Sequence, residues 1–298
     1  MFLRSILCPV DFSEQSRQAL RLSGLMAGRF QSRLVVLSVV DPLLAEAAKS
    51  RLKVDLVKKE TRPALAAFVK ESWSGIVPPP PQPVLEVRVG RASDAIRETA
   101  ERDAADLIVM GTQGLGGVRK WLLGSTTEHV LRRTRTPVLA VPPAVPGAAV
   151  ALQSGAILAA TDFSDSSIEA AKFAAMFAEQ FKLPMLLAHV VAPVSVPPQW
   201  SLLLEESDQG RLTDARKIMK ALAKQVGGAL KPDTVVLPGN PAETIAALAA
   251  ERRAGLIVMG LTGDQGPFAQ RPGSIAYRVL CASGVPVLIV PPASEANT

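Results

Sequence analysis

Short runs of consecutive aliphatic residues alternate along this chain with longer amphipathic stretches. In the first half, Leu3–Pro9, Leu34–Val40, Val84–Val89, Asp106–Met110 and Pro137–Val141 read as strands, and Ser13–Arg29, Ala92–Arg102 and Ser125–Arg133 as helices. A charged amphipathic stretch runs from about Leu43 to Trp73, and the prolines at 78–81 and 83 mark a loop before the third strand. The second half repeats the order. Ala156–Ala160, Met185–Val191, Thr234–Leu237, Leu256–Met259 and Val287–Val290 read as strands, with helices over Ser166–Phe181, Leu202–Val226 and Ser274–Cys281. Asn240-Pro-Ala-Glu243 is a further helix start, with a capping Asn and Pro at the first helical position. Apolar strands separated by helices predict parallel sheets covered on both faces. In such sheets ligands bind beyond the carboxyl ends of the strands, where the strand order reverses.

The two halves are copies of one unit. Gly111-Thr-Gln-Gly114, nine residues and Gly124-Ser125 recur as Gly260-Leu-Thr-Gly263, nine residues and Gly273-Ser274, at a constant offset of 149. The period is too long for a solenoid, so it reads as a tandem duplication. A chain of 298 residues accommodates two ordinary domains, expected at 1–143 and 152–292, joined by a linker over 142–154. Aromatic residues make up only 4% of a sequence that is 48% hydrophobic, which suggests aliphatic cores.

Charge and cysteines narrow the picture further. Residues 1–150 hold 21 Lys and Arg against 14 Asp and Glu, a net of +7, whereas 151–298 hold 12 against 13. A basic first half favours anionic ligands. Its cations are scattered along helices without interleaved aromatics, so nucleic acid is not expected as a partner. The uncharged stretch Thr136–Thr161 is interrupted by Pro137, Pro142, Pro143 and Pro146 and reads as strand, linker, strand rather than as a membrane helix. The N-terminus has no signal-peptide pattern. Cys8 and Cys281 lack metal-ligand or redox spacing and read as reduced, buried thiols. A cytoplasmic location with no membrane partner is the resulting expectation.

Each glycine loop leaves an apolar strand and leads into a helix. Glycines admit positive φ and close backbone approach. Successive N–H groups can form an anion nest, and a helix N-terminus attracts phosphate. Ser125 can donate a hydroxyl there, and Ser125-Thr-Thr-Glu128 also reads as a capping box. Arg119 and Lys120 either add charge to the loop or are solvated. The loop is neither a Walker loop nor the dinucleotide fingerprint. A second duplicated motif, Val10-Asp11-Phe12-Ser13 against Thr161-Asp162-Phe163-Ser164, ends the first strand of each half. Its acid can meet a ribose hydroxyl or a base amine, or serve as a turn former and cap. His129 and His189 have no catalytic or metal-binding partners in the sequence and read as structural.

Together, the strand-Asp-Phe-Ser start, the Gly-x2-Gly-x9-Gly-Ser loop and the terminal Thr136-Pro-Val-Leu-Ala-Val-Pro142 strand resemble the universal stress protein family over both halves. The resemblance implies a five-stranded parallel sheet with helices on both faces in each half, an adenine nucleotide alpha-hydrolase-like α/β fold. It further implies an intrachain pseudo-dimer through the last strands, with further homodimerisation open. It implies Mg2+-ATP as ligand. Adenine and ribose would meet Pro9, Asp11 and Val39, and the phosphates Gly111, Gly114, Gly124, Ser125 and Thr126. The second-half matches are Asp162, Val190, Gly260, Gly263, Gly273 and Ser274. That half departs from the pattern: Ala160 replaces Pro9, Ile275 replaces Thr126, and Asp264, Pro267 and Pro272 enter the loop, whose only cation is Arg271. The expected asymmetry is tighter binding in the first half. The leading expectation is a nucleotide-dependent stress-response regulator with unknown protein partners. No general base stands beside the loop, so rapid turnover is not expected. Slow ATP hydrolysis, self-phosphorylation at Ser125, a scaffold without nucleotide and an electron-transfer flavoprotein subunit remain as alternatives.

Overall fold

A computed structural model describes residues 3–53, 55–76, 79–113, 123–143, 152, 154–193, 201–228, 230–261 and 274–292, with backbone alone at 52, 58, 201–208 and 274. The chain divides into two compact units, Met1–Ala149 and Val150–Thr298. The first contains β1 (Ser5–Val10), α1 (Glu14–Phe30), β2 (Arg33–Val40), α2 (Pro42–Ala47), α3 (Arg62–Ser72), β3 (Val84–Val89), α4 (Ala92–Arg102), β4 (Leu107–Gly111), α5 (Ser125–Arg133) and β5 (Val138–Val141). Its strands lie in the order β3-β2-β1-β4-β5, all parallel. Right-handed crossovers require this layering. The connections that move outward from β1 to β3 put α1 and α3 on one face, and those that move the other way put α4 and α5 on the opposite face.

The second unit repeats the plan with β6 (Ala156–Ala160), α6 (Asp165–Phe181), β7 (Met185–Val191), α7 (Ser201–Gly227), β8 (Asp233–Pro238), α8 (Pro241–Glu251), β9 (Ala254–Gly260), α9 (Ser274–Ala282) and β10 (Val287–Val290). Its parallel order is β10-β9-β6-β7-β8. Both sheets show why the central strands read as unbroken aliphatic runs. All of β1 is buried, whereas the edge strands β3 and β8 are half-exposed. The outer strand β3 carries Glu86 and Arg88, which pair with Arg102 and Glu98 of α4 at 2.6 and 2.8 Å. Charges at such a position also discourage edge-to-edge pairing.

The stretch from Leu43 to Trp73 is not continuous. After α2 come two π-helical turns, Ala48–Leu52 and Leu56–Thr61, before α3 begins. Lys53, at φ 52°, takes the left-handed conformation that ends the first of these turns. Asn240 does cap α8, accepting from the Ala242 amide at 3.2 Å.

Cys8 lies in the middle of β1 and is fully buried. Burial pushes its thiol up to about 12, against a smaller opposing effect of its hydrogen bond to Ser23. The thiolate is the reactive form. Alkylation of the native protein at pH 8 should therefore spare Cys8, and unfolding in denaturant should expose it; mass spectrometry of the labelled peptides checks this. The same shift makes stability fall as pH rises above the ordinary thiol pKa of 9.0 towards 12, because the unfolded chain releases that proton first.

Candidate functional site

In the first unit the strand order reverses between β1 and β4. The chain leaves β1 towards β2 and β3 on one side, and leaves β4 towards β5 on the other. Such a reversal opens a crevice at the carboxyl ends. The β1–β4 ladder pairs Ile6 with Leu107 and Leu7 with Ile108, and Pro9, two residues on, has no N–H with which to extend it. In the second unit the equivalent β6–β9 ladder reaches one residue further, to Ala159↔Val258, and Ala160 stands in the place of Pro9. Val39 and Val190 hold the same place near the ends of β2 and β7, paired with Arg88 and Leu237 respectively.

Asp11 follows β1 directly and is exposed. Its Oδ1 accepts from the Ser13 amide at 3.1 Å and the Ser13 hydroxyl at 2.5 Å. Ser13 in turn caps α1, its Oγ accepting from the Ser16 amide at 3.2 Å. Asp162, Ser164 and Ser167 repeat these bonds at 3.1, 2.5 and 3.3 Å. The turn-and-cap arrangement is thus built into both copies of the motif. Between acid and cap, Phe12 and Phe163 adopt left-handed φ of 65° and 69°, a conformation costing an L-residue roughly 1–2 kcal/mol. Ring contacts offset that cost. Phe12 meets Phe68 edge-on at 5.4 Å, and Phe68 lies 4.5 Å beneath the Arg17 guanidinium. Phe163 instead stacks on His189.

Gly111 ends β4, and the loop after it returns to the same place. Thr112 donates its amide to the Val141 carbonyl at 2.9 Å, and Gly124 donates to the Thr112 carbonyl at 2.7 Å. Thr127, a buried residue not singled out in the sequence, donates its hydroxyl to the Gly111 carbonyl at 2.9 Å. These bonds hold the N-terminus of α5 beside the end of β4. The capping box expected at Ser125 is absent. Gly124 is the cap residue, at φ −63° and ψ 142°, with no side-chain cap bond. Glu128 turns away to pair with Arg132 at 2.7 Å. Among the described residues, the amides of Ser125 and Thr126 in the first turn consequently have neither an intrahelical acceptor nor a side-chain cap. That arrangement fits an anion. Ser125 is exposed and Thr126 half-buried.

Gly111 and Gly260 are glycines for a reason other than positive φ, which neither adopts. A Cβ on Gly111 would lie 3.0 Å from Gln15 Cβ, and one on Gly260 would lie 2.5 Å from Ser166 Oγ and 3.1 Å from the Ser166 and Ser167 backbone. Each lets the first turn of the helix after β1 or β6 cross close over the end of β4 or β9. In the second unit Leu261 donates to the Val290 carbonyl at 2.9 Å, as Thr112 does to Val141. Ser274 begins α9. Gly114, Gly263 and Gly273 lie outside the described residues, as do Arg119, Lys120, Asp264, Pro267, Arg271 and Pro272.

Both histidines bond backbone carbonyls. His129 Nδ1 lies 2.6 Å from the Ser125 carbonyl, and His189 Nδ1 lies 2.7 Å from the Thr161 carbonyl. A carbonyl only accepts, so Nδ1 carries the proton in each. Among the described residues no three His, Cys, Asp or Glu side chains cluster closely enough to hold a metal ion, and no helix is long and apolar enough to cross a membrane.

Comparison with known proteins covers both units. The profile of the Universal stress protein family matches residues 3–142 and 154–291. Universal stress protein MJ0531 of Methanocaldococcus jannaschii is 39% identical over 142 residues, 45% of this chain and 80% of its own length. Two solved structures span nearly the whole chain and share its fold. A universal stress protein from Archaeoglobus fulgidus covers 98% of this chain and 99% of its own, at 22% identity and a TM-score of 0.64. The Pseudomonas aeruginosa protein PA1789 covers 97% of this chain and 93% of its own, at 21% identity and a TM-score of 0.67.

Proposed function

Because the chain belongs to the universal stress protein family in both of its halves, we propose that it is a nucleotide-dependent stress-response regulator that binds Mg2+-ATP at the carboxyl ends of its strands. The observation that carries this reading is the uncapped N-terminus of α5, held beside the end of β4 at the reversal of strand order. The phosphates would meet Gly111, Gly114, Gly124, Ser125 and Thr126. Adenine and ribose would lie towards Pro9, Asp11 and Val39. Mg2+ would ride on phosphate oxygens and water, as it does where one or two protein ligands suffice.

In the second domain the corresponding residues are Asp162, Val190, Gly260, Gly263, Gly273 and Ser274. We place the domains at 1–143 and 152–292 and assign the tighter site to the first. The net charge of +7 in the first half and the longer β6–β9 ladder in the second support that assignment. The regulator acts by changing conformation or partner choice with its nucleotide state.

The test is to denature freshly purified protein and quantify released nucleotide by chromatography and mass spectrometry. The expected yield is about one ATP per chain, since a tight site retains its ligand through purification. Two per chain would remove the preference between domains. None released, and none bound on titration with Mg2+-ATP, would overturn the nucleotide reading in favour of a scaffold.

A further inference from the structure

The short helix α2 stands out from the first unit with none of its residues buried, and its main contacts are with the π-helical turn that follows it. Six residues of helix do not hold together in water by themselves. The N-terminal cap supports this one. Asp41 Oδ1 accepts from the Leu43 and Leu44 amides at 2.8 and 3.3 Å, and Pro42 stands in the first turn. Both leucine side chains are left in solvent, 76% and 59% exposed, the most exposed large hydrophobic residues among those described. The turn behind them is basic. Lys49, Arg51 and Lys53 are exposed, Lys59 and Arg62 follow, and none of the five forms an ion pair among the described residues. No acid stands between Glu46 and Asp55, and over 42–62 six Lys and Arg oppose three Asp and Glu. At the offset of 151 between Asp11 and Asp162, the matching stretch 193–213 has the reverse balance, with Arg211 against Glu205, Glu206 and Asp208.

We propose that α2 and the turn after it dock on an anionic membrane surface, with Leu43 and Leu44 entering the acyl boundary and Lys49, Arg51 and Lys53 lying among the headgroups. This is a contact with the surface and needs no spanning helix. It departs from the sequence expectation of no membrane partner, and it stands apart from the nucleotide reading. Burial of the leucines and attraction of the cations to anionic lipid act together at such a tip. The lysine and arginine stems can also lie along apolar surface while their charges stay in water. Charge decides between the possible occupants. A second copy laid on the same tip would bring two sets of cations together. A nucleic acid would meet the cations but leave the leucines in water, and 42–62 holds no aromatic residue on which a base could stack. A folded acidic protein would have to offer a groove cut to α2, whereas a fluid bilayer takes a protruding apolar tip without one.

The experiment is flotation of the full chain with vesicles. Vesicles of phosphatidylcholine and phosphatidylglycerol in equal parts should carry the protein with them, and vesicles of phosphatidylcholine alone should not. Salt at about 1 M, where the Debye length is about 3 Å, should release it. Each cation near an anionic surface is worth about fivefold in affinity, so Lys49→Gln, Arg51→Gln and Lys53→Asn together should weaken binding about 100-fold. Asparagine suits the left-handed backbone at Lys53, φ 52°. Leu43→Gln with Leu44→Gln should weaken binding by at least about tenfold. All five side chains are exposed, so both variants should melt with the parent chain. No binding to the mixed vesicles, equal binding to both kinds of vesicle, or affinity within twofold of the parent in both variants overturns the proposal. Self-association without lipid that the leucine variant abolishes would assign the tip to a second copy and overturn it too. So would salt-sensitive binding of an acidic amphipathic peptide in place of vesicles, which would assign the tip to a protein.

Discussion

Replacing Gly124 with aspartate is expected to weaken Mg2+-ATP binding to the first domain by about 100-fold or more while leaving the melting temperature unchanged or slightly raised. The two effects have opposite signs for one physical reason. Gly124 caps α5 in an extended conformation that any residue adopts, at φ −63° and ψ 142°, so the backbone does not require glycine there. Aspartate is among the best helix caps, and its charge is favourable at a helix N-terminus. By the same token it occupies the amides of Ser125 and Thr126 and sets a negative charge where the phosphates would lie. Juxtaposed like charges cost several kcal/mol, and about 2.7 kcal/mol is a hundredfold in affinity. Gly273→Asp, its counterpart in the second domain, should change total binding by less than about threefold. Isothermal titration with Mg2+-ATP, beside a thermal melt, decides the matter. Equal losses in the two variants would remove the difference between the domains, and no loss in either would show that the α5 N-terminus is not the phosphate site.

The second large effect concerns folding. Gly260→Ala should destabilise the second unit by about 1–3 kcal/mol, the usual cost of overpacking. The added methyl would sit 2.5 Å from Ser166 Oγ and 3.1 Å from two backbone atoms of the first turn of α6. The hydroxyl can rotate away, but the backbone cannot. Ser166 Oγ is buried and makes no hydrogen bond among the described residues, so adding Ser166→Ala should recover part of the loss. Gly111→Ala should cost less, because its nearest contacts are the Gln15 side chain at 3.0 Å and backbone at 3.3 Å. Calorimetry reports each unit's transition, and a melting temperature for Gly260→Ala within about 1 °C of the parent would contradict the close-packing account.

Much of this was legible in the sequence. Alternation of aliphatic runs with amphipathic stretches gave every strand and the main helices, because side-chain burial repeats with the local geometry of each element. The constant offset between the two glycine loops gave the tandem arrangement. Less legible was why particular residues stand where they do. The glycines after β4 and β9 looked like loop residues needing unusual φ, but Gly111 and Gly260 answer to a helix crossing over them from a distant part of the chain. Ser125 looked like a cap because cap and helix are neighbours in sequence. The structure keeps the expected helix but places its cap one residue earlier, at Gly124, whose amide is already held by the Thr112 carbonyl.

The sequence by itself determined the class of fold, the duplication and the strand ends at which the duplicated motifs gather, since these follow from short-range periodicity and from motifs that recur at one spacing. It also marked differences between the copies, such as Thr161 for Val10 and Ala160 for Pro9, without saying what they do. Only the tertiary structure decided that. Phe163, in the turn after β6, and His189, on β7, meet through the β6–β7 register, whereas the same register in the first unit sets Ser38 at the place of His189. A contact of that kind depends on which strands pair and how far their ladder runs, which no local pattern encodes.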